Sequence, residues 1–252
     1  MDRRCECVGI VSGKGGTGKT SFAAGAGAAL SQLGRRVLCV DCDIGLRNLD
    51  LALGLADQAL MDFTDVAAGR CGLEEAVVEH PALPGLFLLN APARGSGEDV
   101  SEEQMRELMK AVRQSFDYCL LDAPAGLGQG FTLATCAASR AVVIAGLDPP
   151  SLRDAQRTVM ELARFPEGAV HLVVNRVRKR LLNHLRTTVD DAMDAAGLPL
   201  LGLVPEDDAL PAAMARGLPA ALASPKSPAA AAYRNIAQRM EGGTAPLLRM
   251  RW

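Results

Sequence analysis

The chain has 252 residues, 49% of them hydrophobic and 22% charged, with a formal net charge of -2. That balance excludes a disordered chain, and the near-neutral charge excludes a surface built throughout for nucleic acid or membrane, so any such contact has to come from a local patch. No apolar run approaches the ~20 residues that span a bilayer.

The opening "MDRRCECVGIVSGKGG" passes from charges straight into a strand and a glycine loop. It has no apolar stretch or small-residue cleavage site of a signal peptide, and it reads as cytoplasmic. The seven cysteines are odd in number and scattered, unlike a disulfide framework. Cys39 and Cys42 have CxxC spacing, but within the strand-like "RRVLCVDCD" residues three apart point to opposite faces and cannot share a metal. Cys5 and Cys7 would share a face without a second ligand pair, and His80, His171 and His184 are isolated. No cysteine or histidine metal site is expected.

From there, short apolar runs alternate with helix-period segments. "CVGIVSG", "RRVLCVDCD", "GLFLLNAP", "DYCLLDAP", "RAVVIAGLD", "AVHLVVNRV" and "PLLGLVPED" read as strands, and their near-continuous apolar character is that of strands buried on both faces of a parallel sheet. The helical segments are Lys19 to Leu33, "SEEQMRELMKAVRQSF" with its serine cap, "SLRDAQRTVMELARF", "LLNHLRTTVDDAMDAAG" and "SPAAAAYRNIAQRM". This alternation predicts one α/β domain: a single doubly wound, mostly parallel sheet with helices on both faces. The ligand is then expected outside the carboxyl ends of the strands.

"GKGGTGKT", Gly13 to Thr20, matches G-x-x-x-x-G-K-[ST] in full, after a strand and before a helix. Gly13, Gly15, Gly16 and Gly18 let backbone amides converge on phosphate oxygens, and the following helix adds its N-terminal dipole. Lys19 is expected on the β- and γ-phosphates and the Thr20 hydroxyl on Mg²⁺, with Thr17 and Ser21 completing the nucleotide-binding loop. A loop of this kind needs one lysine, yet Lys14 supplies a second. A cation delivered across a subunit interface can neutralise charge developing in phosphoryl transfer, which is one use for Lys14; a solvent-exposed lysine is the other.

"KGGTGKT" resembles the deviant Walker A loop of the ParA/MinD ATPases, within the P-loop NTPases. The segment "DCDIGLRNLDLALG" resembles the first switch region of the MinD branch, and "LLDAPAGL" resembles its second. "LDPPSLRDAQR" is similar to the start of a partner-binding helix, and "VVNRV" and "LVPEDDAL" to the two adenine-side loops. The match runs in order from about residue 6 to the end.

The resemblance implies an Mg-dependent ATP hydrolase that forms an ATP-sandwich homodimer, with Lys14 contacting the partner's nucleotide. It implies that Asp43 orients the attacking water and that Asp41 lies beside the Mg²⁺ and switch network. Asp122 would hold Mg²⁺ through water, an assignment that suits an acidic residue ending a buried strand. Asn175, Pro205 and Glu206 fall around the adenine, and Arg47, Asn48 and Asp154 at the dimer or partner edge. Placement of the division septum, a division inhibitor of the MinC kind and an activator or polar anchor also follow from the resemblance alone. Rival readings in the same family are a DNA- or cargo-partitioning ATPase and a regulator of flagellar number or metal loading. "DIGLRNLD" argues against the first.

Two segments sit apart from this pattern. The expected ATPase domain covers residues 1–243, leaving 244–252 as a short tail. The family's MinD branch ends in an amphipathic membrane helix, whereas here "EGGTA" is followed only by "PLLRMRW". Leu247, Leu248, Met250 and Trp252 interleave there with Arg249 and Arg251, a mixture suited to an anionic lipid interface, though seven residues are short for a helix and a disordered or back-packed tail is the competing, and favoured, reading. The preceding helix places Tyr233, Ile236, Ala237 and Met240 on one stripe that reads as core. The second segment is "NRVRKR", with Arg176, Arg178, Lys179, Arg180 and Arg186 beyond. It could meet phosphates, but no aromatic residue interleaves with it, so a solvated loop is the reading and nucleic acid is not expected.

Overall fold

The computed structural model describes residues 5–56, 58–93, 100–178 and 188–247. The strands are β1 (Glu6–Val11), β2 (Val37–Asp41), β3 (Val78–Glu79), β4 (Leu86–Leu89), β5 (Tyr118–Asp122), β6 (Arg140–Ala145), β7 (Val170–Val177) and β8 (Leu200–Pro205). They form one sheet in the order β3-β4-β2-β5-β1-β6-β7-β8. Every pair is parallel except β3 with β4. The seven expected strands are present. The eighth, β3, has two residues and is too short to carry a hydrophobic pattern.

Among the described residues the helices are α1 (Lys19–Gln32), α2 (Leu49–Leu53), α3 (Phe63–Ala67), α4 (Leu73–Ala76), α5 (Glu102–Ser115), α6 (Gln129–Cys136), α7 (Pro149–Glu161), α8 (Val189–Ala196), α9 (Ala209–Ala215), α10 (Ala220–Ala223) and α11 (Pro228–Met240). Five follow the expected helical segments; the front of the fourth, residues 181–187, lies outside the described residues. The other six are short and give the eye few turns of period to detect.

Side-chain alternation builds two cores, one on each sheet face. Val8 and Ile10 of β1 join Cys39 of β2, the alanines of α1 and Tyr233 of α11 on one face. Cys7 and Val11 join Cys42 and the buried residues of α5, α6, α7 and α8 on the other. Cys39 and Cys42 thus lie on opposite faces, as their spacing requires. α1 is buried nearly all round and its small residues allow close packing. A Cβ on Gly25 would come within 2.3 Å of the Tyr233 ring, so the α1–α11 contact depends on that glycine.

The stripe Tyr233, Ile236, Ala237 and Met240 is buried, as read. Beyond it the chain turns back along α11: Arg239 donates to the carbonyls of Ala245 and Leu201, and Asn235 to that of Pro246. Leu248 to Trp252 lie outside the described residues, as do Lys179, Arg180 and Arg186.

What positions the site is the reversal at β1. This central strand lies between β5 and β6, and the crossover through α1 leads to β2 on the β5 side, while β6 lies on the other. The loop after β1 therefore opens at a switch point on the carboxyl edge.

Candidate functional site

Ser12 to Gly18 connect β1 to α1. Gly18 is the N-cap of α1 with φ 93°, and no side chain caps the helix. A Cβ there would lie 2.2 Å from Asn175 Nδ2, so both the backbone and the space call for glycine. The other long helices are capped, α5 by Ser101, α7 by Asp148 and α11 by Ser227. An uncapped helix start with its amides presented beyond a glycine loop is an anion site.

Ser12 organises the loop from inside. Its hydroxyl donates to Lys14 O at 2.8 Å and accepts from Thr17 Oγ1 and from Lys19 Nζ, each at 2.9 Å. Ser12 lies one residue before the phosphate-loop pattern, so nothing in the motif singles it out. Lys19 is buried, and burial pulls its pKa down while Asp122 and Asp43 oppose the fall.

β2 and β5 end in register on two carboxylates, Asp41 and Asp122. Burial pushes Asp122 up to about 8; a hydrogen bond from Thr20 and the charge of Lys19 oppose it, and Asp41 reinforces it. Burial also pushes Asp41 up to about 6, against hydrogen bonds from the amides of Asp43 and Leu49. Asp43 is half-buried and raised by burial, with Lys19 opposing. Asp122 and Asp43 thus face Lys19, with the charge of Asp41 close to both, an excess of negative charge that a cation would relieve.

Asp122 Oδ1 is buried without a hydrogen-bond partner, the position of an acceptor awaiting a donor or cation-bound water. Asp41 is different: its oxygens accept from Asp43 N at 2.8 Å and Leu49 N at 3.1 Å, bracing the loop that carries Asp43. Among the described residues no three His, Cys, Asp or Glu side chains converge to hold a metal alone. That suits Mg²⁺, which commonly takes one or two carboxylates and completes its shell with water and phosphate oxygens.

Of these groups Lys19, Thr20 and Asp43 line a cleft of about 600 Å³, large enough for a nucleotide, while Asp41 and Asp122 are buried outside its lining. Gly15, Gly16, Gly18, Lys19, Thr20 and Ser21 of the loop and α1, Asp43 and Asn48 after β2, and Asn175, Pro205 and Glu206 from the ends of β7 and β8 contribute to its lining. Asn175 is fixed there because its Nδ2 donates to Thr17 O at 2.7 Å, which leaves a buried Oδ1 as an unpartnered acceptor.

The chain matches the CobQ/CobB/MinD/ParA nucleotide binding domain over residues 8–220. It belongs to that family. It is 39% identical to the septum site-determining protein MinD of Bacillus subtilis over 245 residues, covering 96% of this chain and 91% of that protein. With the Synechocystis MinD the identity is 37% over 241 residues, covering 95% and 90%. Among solved structures, an Aquifex aeolicus MinC:MinD complex superposes with TM-score 0.88 at 34% identity, covering 97% of this chain and 99% of that one. Pyrococcus horikoshii MinD complexed with Mg-ADP superposes with TM-score 0.81 at 29% identity, covering 94% and 96%.

Several expected site residues of this family member lie outside the main cleft. Gly13 packs on α7, where a Cβ would come 2.9 Å from both Asp154 Cβ and Asp154 O, so Asp154 sits beneath the loop, half-buried. Thr17 is buried against Ser12. Lys14 lines a second cleft of about 270 Å³ on the other side of the loop, with Asp148, Ser151 and Arg178. Its Nζ lies 3.4 Å from Asp148 Oδ1, and both side chains are substantially exposed. Arg47 has φ 45° and pairs with Asp50 at 3.2 Å.

The basic stretch is exposed, as the sequence suggests, with the Arg176 and Arg178 side chains about 60% accessible, and it has partners as well: both bind the carboxylate of Glu206, and Arg176 also donates to Gly16 O. Their only sequence signal was a run of charge, which does not specify its partners.

Proposed function

We propose that this chain is an ATP-hydrolysing dimerisation switch of the MinD type, acting in placement of the division septum. The observation that carries the reading is the buried, unpartnered Asp122 Oδ1 beside Thr20 and Lys19, at the uncapped start of α1. A polyphosphate on the loop amides would be met by Lys19, with Asp122, through water, and Thr20 holding Mg²⁺. The cation, when bound, supplies positive charge to the phosphate oxygens. Asn175 Oδ1 is an acceptor suited to the exocyclic amine of adenine, beside Pro205 and Glu206.

Hydrolysis transfers the terminal phosphoryl group to water and breaks its bond to the β-phosphate oxygen. Asp43, on a loop braced by Asp41, accepts a hydrogen bond from that water and orients it. Lys14, outside its own cleft, is free to cross to a second copy once Asp148 releases it, and Arg47, Asn48 and Asp154 are the further residues assigned to the dimer or partner surface. The relatives' names supply the biological setting: septum site determination, and for one of them a complex with MinC. A MinC-like inhibitor is therefore the expected partner, along with an activator or polar anchor. The contact with an anionic membrane would come from the tail beginning near residue 244. Among the described residues no helix is long and apolar enough to cross a membrane.

Light scattering in Mg-ATP and in Mg-ADP, with Lys14→Ala alongside, tests the switch. The expected outcome is a dimer only for wild type in ATP, which then pellets with anionic liposomes. An unchanged mass in ATP would end the dimerisation reading. ATP-dependent dimers that stay in the supernatant when the liposomes pellet would keep the switch and remove the membrane.

A further inference from the structure

We infer that Arg176 is a positioning residue that holds the phosphate loop in its anion-binding shape from behind. The inference rests on the nucleotide-binding reading of the loop and adds to it a part that the loop's own sequence does not contain. Arg176 has φ 56°, a left-handed conformation that a non-glycine residue adopts only under constraint. It sits where β7 breaks register with β8, between Val174 and Val177. That bulge re-aims the side chain across the sheet edge. One guanidinium nitrogen, Nη1, donates to Gly16 O and the other, Nη2, to Glu206 Oε1, each at 3.2 Å. The preceding residue, Asn175, donates to Thr17 O.

Two consecutive residues of β7 thus grip two consecutive carbonyls of the phosphate loop. In a trans peptide the carbonyl and the following N–H point in opposite directions. Holding Gly16 O and Thr17 O toward β7 therefore turns the amides of Thr17 and Gly18 away from it, toward the anion. A cradle of successive amides binds phosphate well only when those dipoles are oriented beforehand. Glu206 completes the device. Its carboxylate receives Arg178 as well as Arg176, and its own amide donates to Val177 O at 3.1 Å. The base-side loop and the phosphate loop, which a nucleotide would span, are thus already joined through one guanidinium.

The test compares Arg176→Gly and Arg176→Lys with wild type. Glycine suits the backbone angle, so Arg176→Gly keeps the nucleotide-free melting temperature within ~3 °C. Amide hydrogen exchange at Thr17 and Gly18 in the nucleotide-free protein should nevertheless speed up by about tenfold, and Mg-ATP should bind about tenfold more weakly, the effect of one charge-assisted hydrogen bond. Lysine can reach only one of the two acceptors and should fall between. Unchanged exchange at Thr17 and Gly18 would overturn the inference. So would a general rise in exchange along β7 and β8 with a large fall in melting temperature, which marks a purely structural role. The exchange measurement needs no nucleotide, so a wild type that fails to bind Mg-ATP would count against the functional reading separately.

Discussion

The two ends of the cleft are built on different plans. At the phosphate end the loop's own chemistry is local in sequence, with Ser12, Lys19 and Thr20 within one loop and helix turn, and only the carboxylates Asp41, Asp43 and Asp122 are brought to it from the ends of other strands. At the base end almost nothing is local. Asn175 reaches Thr17 across 158 positions and Arg176 reaches Gly16 across 160. The phosphate end concentrates charge of both signs under partial burial. The base end has its charges paired off, Arg176 and Arg178 on Glu206, and contributes orientation. Substitutions at the first end should therefore act on rate, and those at the second on binding.

The largest effect should come from Asp43→Ala. Losing the group that orients water should lower turnover by about 10²–10⁴, while Mg-ATP affinity stays within ~threefold. Phosphate release in single turnover and calorimetric titration separate the two quantities. A parallel loss of both would erase the contrast between the ends. Asn175→Ala should show the opposite split: affinity about tenfold weaker, with single-turnover rate at saturation within ~threefold of wild type. If saturating ATP fails to restore the rate, then Asn175 also shapes the transition state, and the division between the ends is too simple.

The same contrast explains what could be read from the amino acids. The fold was legible because parallel strands buried on both faces give continuous apolar runs, and seven of them were enough. The two-residue β3 has no such run, and helices as short as α10 complete barely a turn. In the site, Gly18, Lys19 and Thr20 announce themselves because glycine and lysine at those spacings have few other uses, whereas Asp122 came from the resemblance, with its place at the end of an apolar strand in agreement. Ser12 hid because its role is internal to the loop. Arg176 hid for a different reason: a charged run specifies neither the left-handed backbone nor the carbonyl 160 residues earlier that it serves. Gly13 was legible as part of a motif but its surroundings were not, since only the packing of α7 shows what a side chain there would strike.

The phosphate end also carries a pH signature that the base end should lack. Asp122 is pushed up to about 8 in the folded, metal-free protein, whereas an unfolded aspartate titrates near ~3.9. Between those values the native state holds a proton that the unfolded state has released, so stability falls as pH rises through the window from ~4 to ~8. Asp41, pushed up to about 6, acts in the same direction over the lower part of that window. In chelator, the melting temperature should therefore drop between pH 5 and pH 8, and Asp122→Asn should flatten the upper half of the drop while Asp41 preserves the lower. Mg-ATP should flatten it as well, because a cation beside the carboxylate favours its ionised form. Wild type and Asp122→Asn falling in parallel would mean that the proton resides elsewhere in the molecule.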